Sequence, residues 1–231
     1  MPSLKYVGLF LVIIIFGILF IPKIIERINS DAIVDSSRSQ SAEPLNYIML
    51  NDEAKKVPPF MFVNQDSLLI SNEDFTGKVY VAEFFFTSCP SICPIMNKNM
   101  KRIEDIYGSK TDFGIASFTI DPDHDIPSVL KKYAEDYNVF SQNWHFLTGQ
   151  KESIYALANS GFNIFASINP EVEGGFEHQG YFALIDKQGF IRSRSDQFGN
   201  PIVYYMGLDQ EGVEVQDVDL LIEDIQKLLD E

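Results

Sequence analysis

Two cysteines four residues apart, Cys89 and Cys93, stand in the run Thr87-Ser88-Cys89-Pro90-Ser91-Ile92-Cys93-Pro94, and the chain has no others. If the backbone there is helical or nearly so, both sulfurs lie on one face, with Cβ atoms about 5–6 Å apart. Such a pair can close a disulfide after a small adjustment, or it can hold one metal ion between two thiolates. A helix N-terminus stabilises thiolate and so favours either use. Pro90 suits a first turn, and Pro94 makes the pair span a loop and the opening turn of a helix. Thiolates are soft ligands that select Cu(I) or Zn(II). Two of them leave a zinc site two ligands short, and two cysteines are too few for a disulfide-built scaffold or an iron–sulfur cluster.

Three histidines are available: His124, His145 and His178. His178 lies in the glycine-flanked stretch Gly174-Gly175-Phe176-Glu177-His178-Gln179-Gly180, just before the apolar run Tyr181–Ile185. With Cys89 and Cys93 it could complete a Cys₂His trigonal site, a geometry suited to copper. His124 sits among Asp121, Asp123 and Asp125 and reads as part of a hydrated loop. His145, between Trp144 and Phe146, reads as structural, and Met96 as helix packing rather than an auxiliary ligand. Asp121 closes a strand near the cysteine turn and is expected to act behind the ligands, by holding a basic side chain or tuning the charge at a metal.

These groups need elements to carry them. Val79–Phe86 is short, aromatic and β-branched, as a buried central strand should be. The cysteines follow it directly, and Ile95–Tyr107 then has helical spacing. Phe113–Ile120 reads as a strand, and Ser128–Tyr137 as a helix with Ser128 as its cap. A short strand is expected at His145–Leu147 and a helix at Lys151–Asn159. Tyr181–Asp186 and Phe190–Arg194 read as a hairpin, and Asp217–Leu229 as an amphipathic helix. The segment Phe60–Ile70 is expected to add a preceding hairpin. The order β-α-β-α-β-α-β-β-α predicts an α/β domain with a central mixed sheet flanked by helices. The cysteines at a strand–helix junction make it thioredoxin-like.

The chain has 231 residues, 18 Lys+Arg against 33 Asp+Glu, and a formal charge of −15. Residues 1–44 carry four basic and four acidic side chains, so all of the excess falls on residues 45–231. That acidity argues against nucleic acid as a partner. Tyr6–Ile21 is sixteen residues without a charge, about 24 Å as a helix against a hydrocarbon core of about 30 Å. Ile24 and Ile25 can extend it if Lys23 snorkels. The flank Ile-Pro-Lys-Ile-Ile is a poor signal-peptidase site. The expected organisation is a transmembrane anchor at 1–25, a flexible Ser-rich tether at 26–44, and one domain at 45–231.

The segments Phe84–Pro94, Thr119-Ile120-Asp121-Pro122-Asp123-His124-Asp125-Ile126-Pro127 and Trp144–Gly149 resemble those of the Sco/SenC proteins. The resemblance covers roughly residues 57–195 and the C-terminal helix. It implies a membrane-anchored, thioredoxin-like copper chaperone that delivers copper to the Cu(A) site during cytochrome c oxidase assembly. It also implies one copper ion, Cu(I) or Cu(II), held by Cys89, Cys93 and His178. His178-Gln179-Gly180 departs from the family's more usual His-Ser/Thr. The implied partners are the copper-bearing oxidase subunit or another copper protein. The implied location is a bacterial inner membrane with the domain on the periplasmic side. Residues 197–215 look longer than the family's usual turn and are expected to form a surface loop with a partner contact. A second function stays open: a tethered thiol–disulfide oxidoreductase using the Cys89–Cys93 redox pair to reduce partner cysteines.

Overall fold

The computed structural model describes residues 16, 20, 21, 44–196 and 198–231. The expected anchor and tether lie outside these residues almost entirely. Among the described residues, no helix is long and apolar enough to cross a membrane. The chain divides into a unit Met1–Arg38 and a unit Ser39–Glu231, and the sheet and the cysteines belong to the second.

The centre of that unit is a run of strands whose apolar sequences leave little choice of location. β6 (Val79–Phe85) and β7 (Phe113–Thr119) are buried along their full lengths. They pair in parallel with β8 (Trp144–Thr148), with Val79 opposite Phe113 and Ile115 opposite Trp144. β11 (Tyr181–Ile185) and β12 (Ile191–Ser193) form the late hairpin, and β11 joins β6 antiparallel. On the far side β4 (Met61–Asn64) and β5 (Leu69–Ser71) form the expected early hairpin against β8. With β1 (Asn46–Tyr47) the order is β1-β12-β11-β6-β7-β8-β4-β5. A small separate hairpin joins β2 (Met49–Leu50) to β3 (Glu53–Ala54).

Helices α1 (Ile92–Tyr107) and α2 (Pro127–Asp136) link the parallel strands, and α4 (Asp217–Asp230) closes the chain. Both crossovers lie on one face of the sheet: Phe85 packs against Tyr133 of α2 with ring centroids 5.5 Å apart, and Asn97 of α1 donates to the Tyr133 hydroxyl at 3.1 Å. Phe84 points the other way, onto Phe162. Three expectations change. Ser128 does not cap α2; Pro127 occupies its first turn after Ile126, where the missing N–H costs no bond. The helix expected at Lys151–Asn159 is α3 (Lys151–Ala156) followed by a wider π turn over Leu157–Phe162. The segment 197–215 is not wholly a surface loop. Its β13 (Tyr205–Met206) pairs with β11, and Tyr205 is buried with its hydroxyl donating to Asp224 at 2.7 Å.

Candidate metal centre

β6 ends inside the core and delivers the chain to Cys89 at the mouth of α1. Cys89 lies in the turn before the helix and Cys93 within its first turn, so the pair spans loop and helix as its prolines demand. The Cys93 N–H, which has no intrahelical acceptor, donates to Cys89 Sγ at 3.3 Å. Cys93 is fully buried and Cys89 is 8% exposed; both are free thiols.

The third group arrives on a hairpin that the sequence did not announce. β9 (Ala166–Ile168) and β10 (Phe176–His178) pair antiparallel, with His178 opposite Ala166. The hairpin is pinned over the cysteine turn by Phe86, whose ring meets Phe176 at 5.3 Å and His178 edge-on at 5.9 Å. Gly174 makes the close approach possible. Its φ is +89°, and a Cβ there would stand 3.1 Å from both Phe86 and Pro90. At the end of β10, His178 Nε2 lies 3.2 Å from Cys93 Sγ. The Sγ atoms of both cysteines and one His178 ring nitrogen lie within 4.8 Å of one another. His178 Nδ1 is 3.2 Å from the Gln179 carbonyl oxygen. That contact makes Nδ1 the donor and frees Nε2 whenever Nε2 serves as a ligand.

The two thiols are driven apart. Cys89 is held well below the ordinary thiol range, first by the Cys93 side chain donating to it, then by His178 and backbone N–H groups, against burial. Cys93 is pushed up, first by its burial, then by the bond it donates and the charge on Cys89. Of the two, Cys89 is driven toward the thiolate and Cys93 toward the thiol. A cleft of about 220 Å³ between Ser91–Ile92 and the segment Val172–His178 opens onto Cys89 and His178.

The turn is braced from the strand β7 side. Thr87 N–H donates to Asp125 Oδ2 at 3.0 Å, and Thr119 Oγ1 donates to the same oxygen at 2.5 Å. Asp125 is fully buried. Asp121, expected behind the ligands, has no side-chain hydrogen bond to the cysteine turn among the described residues. Its carboxyl is raised by burial and then by Asp125, with Lys151 nearby acting the other way. The inward carboxylate is Asp125, which sequence reasoning passed over. His124 is exposed and bonds Asp125 at 2.8 Å. His145 packs edge-on to Phe75 at 5.7 Å and meets Asn64 at 3.2 Å, and Met96 is in the core.

Two sulfurs and an imidazole nitrogen, converging where one thiol is driven toward its thiolate, suit a soft metal ion with trigonal preference such as copper. They do not supply the four ligands of a structural zinc site.

A family model described as SCO1/SenC matches residues 49–211. The SCO1 protein homolog of Bacillus subtilis (strain 168) is 37% identical over 154 residues, 66% of this chain and 75% of that one. Among solved structures, BsSco superposes with a TM-score of 0.61 at 33% identity, covering 82% of this chain and 98% of the other. It is described as a member of the Sco family of cytochrome c oxidase assembly proteins in which a disulfide switch was identified. Bradyrhizobium japonicum ScoI with copper bound shares the fold, with a TM-score of 0.57 at 17% identity over 76% of this chain and 99% of that one. The α/β domain is thus the thioredoxin-like Sco fold, and the chain belongs to the SCO1/SenC family.

Proposed function

We propose that this protein is a copper metallochaperone, holding one copper ion on Cys89, Cys93 and His178 and passing it to the Cu(A) site during cytochrome c oxidase assembly. The observation that carries the reading is the convergence of those three ligand atoms within 4.8 Å. The family membership supports it, as do the copper bound to a relative of the same fold and the oxidase-assembly role ascribed to BsSco. The ion here is cargo, so the site must both hold and release it. Cys93 is anchored in α1 and the core. Cys89 and His178 face the cleft, where an incoming thiolate or imidazole of the recipient can displace them. The recipient is a copper-bearing oxidase subunit or another copper protein. Residues 1–25 anchor the domain to a bacterial inner membrane, with residues 45–231 on the periplasmic side.

A second reading is a thiol–disulfide oxidoreductase. The split between an ionised Cys89 and a protonated Cys93 favours it, because a thiolate attacks and a buried thiol resolves. Anaerobic copper titration of the reduced protein against a competing chelator, with wild type and His178→Ala side by side, separates the two. The chaperone binds one equivalent tightly, and the variant loses affinity, more for Cu(II) than for Cu(I). Failure of the wild type to compete, with both thiols still free, gives the site to thiol exchange.

A further inference from the structure

Between His178 and the start of β11 lie only Gln179 and Gly180. A segment later in the chain closes over that junction. β13 pairs with the start of β11, with Tyr181 opposite Met206 and Phe182 opposite Tyr205. Just beyond it, the Gly207 N–H donates to the Gly180 carbonyl at 2.8 Å. Leu208 covers Gly180 so closely that a Cβ there would stand 3.1 Å from the leucine side chain. Two further bonds hold the segment. The Tyr204 hydroxyl donates to the Phe162 carbonyl, and the Met206 N–H donates to Asp217 Oδ2 at 2.9 Å. Val203, at the entry to β13, stands at φ +67°. A β-branched residue keeps that conformation only where its surroundings hold it there.

The same segment grips the helix that carries Cys93. Asn99 of α1 is buried, and its Nδ2 donates to the Gly207 carbonyl at 3.0 Å and to Asp209 Oδ1 at 3.0 Å. Both amide hydrogens are thus spent on one segment. Asn99 Oδ1 accepts from Arg102 at 3.3 Å, which fixes the way the amide faces. The contacts close a ring. From Cys93 the path runs along α1 to Asn99, across to Gly207 and on to Gly180. It returns through Gln179 to His178, whose Nε2 lies 3.2 Å from Cys93 Sγ.

We infer that Tyr204–Asp209 is a strap that sets the place of His178 over the cysteines, with Asn99 as the positioning residue that ties the strap to the cysteine helix. The role rests on the copper reading of the site. Among the described residues, Asn99 bonds to the side chain of none of the three ligands, so it acts through where it places Gly180. Gly180 is the fixed end from which Gln179 and His178 reach toward Cys93. With α1 and β11 locked together there, the imidazole stands at the sulfur pair before copper arrives. A third ligand already in place spares the cost of ordering it on binding.

A double-mutant cycle tests the role. Full-length wild type, Asn99→Ala, His178→Ala and the double variant, all reduced and metal-free, are titrated anaerobically with Cu(II) and with Cu(I) against a competing chelator. Asn99→Ala should weaken Cu(II) binding by roughly two- to tenfold, the range that one hydrogen bond is worth, and Cu(I) binding by less. In the His178→Ala background the same substitution should change neither affinity, because the ligand it positions is gone. Equal losses in both backgrounds make Asn99 a support of the fold alone and overturn the role. An unchanged Cu(II) affinity in Asn99→Ala with His178 present overturns it too. Either result leaves the copper site standing, whereas failure of the wild type to compete for copper removes the copper reading and this role together. Should Asn99→Ala not fold, Asp209→Ala takes its place in the cycle and the same outcomes decide. Asp209 is exposed, and its loss removes one of the acceptors that hold the Asn99 amide.

Discussion

Replacing His178 with Ala in the reduced, metal-free protein should raise the pH at which Cys89 ionises. The thiolate is stabilised first by the Cys93 side chain, then by His178, then by the N–H groups of Cys93 and Ser91, while burial opposes all of them. Removing one hydrogen bond to a charged acceptor costs about 1.5–3 kcal/mol. At about 1.4 kcal/mol per pH unit, the midpoint should rise by roughly 1–2 pH units. It should not return to that of an ordinary thiol, because the other donors remain. The assay is thiolate absorbance in the ultraviolet against pH, with Cys93→Ser present in both proteins so that a single sulfur is counted. The linkage gives the stability an opposite check. A thiol whose ionisation is depressed by folding adds stability that is present above the unfolded thiol's pKa and is lost as pH falls through the folded value. The His178→Ala protein should therefore carry less of that stability and have lost all of it at a higher pH than the wild type. An unchanged midpoint would refute the reasoning. It would mean that His178 does not engage the sulfur pair and that the hairpin does not seat it there.

Other perturbations test the supports of the site. Gly174→Ala combines a φ of +89° with Cβ contacts of 3.1 Å to Phe86 and Pro90. It should cost about 1–3 kcal/mol of thermal stability and weaken copper binding by lifting the hairpin from the turn, as read by calorimetry and chelator competition. Asp125→Asn replaces one acceptor oxygen with a donor facing Thr87 or Thr119. It should cost about 1–3 kcal/mol in denaturant unfolding and loosen the cysteine turn, seen as faster alkylation of Cys89. Glu83→Gln should gain on the wild type as pH rises. Folding lifts this carboxyl from 4.5 to about 7, so the folded state binds the extra proton across that window and wild-type stability falls through it. The difference should reach roughly 3 kcal/mol above the window and be nearly absent below it, measured by urea unfolding of both proteins at matched pH.

The main sheet was legible because its strands are apolar runs of the right length. Val79–Phe85 and Phe113–Thr119 have nowhere to go but the centre. The strand-to-cysteine junction was legible for the same reason. The β9–β10 hairpin was not, because three-residue strands separated by Asn169–Gly175 show no period of their own. They exist because Phe176 finds Phe86. The choice among Asp121, Asp123 and Asp125 was equally hidden. Three alternating carboxylates look alike in sequence, and only the hydroxyls of Thr87 and Thr119 select Asp125 as the one turned inward. Glu83 was visible as the single charge in an apolar run, a mark that a reading by hydrophobicity alone passes over.

The division of the three ligands among different supports bears on how copper would leave. Cys93 is fixed by α1, fully buried and tied by its carbonyl to Asn97, so moving it means disturbing the helix start. His178 ends a hairpin of three paired residues, half-buried and bordering the cleft. Its withdrawal breaks its contact with Cys93 Sγ and the edge-on contact with Phe86, and no buried anchor of its own element. A recipient ligand entering the cleft therefore meets His178 and Cys89 before Cys93, and His178 is the ligand whose loss costs least. Cu(I) tolerates the two-thiolate intermediate that this leaves, whereas Cu(II) does not. A Gln179→Pro substitution leaves the carbonyl that accepts from His178 Nδ1 in place but removes the Gln179 side chain, whose Oε1 accepts from Phe165 N–H at 3.0 Å across the hairpin base. It also removes the N–H that donates to Phe165 O at 3.2 Å. With both ties gone, Cu(I) transfer to a competing chelator should speed up several-fold while Cu(I) affinity changes less, because the thiolates stay. Slower transfer, or no change in rate, would mean that His178 is not the first ligand to leave.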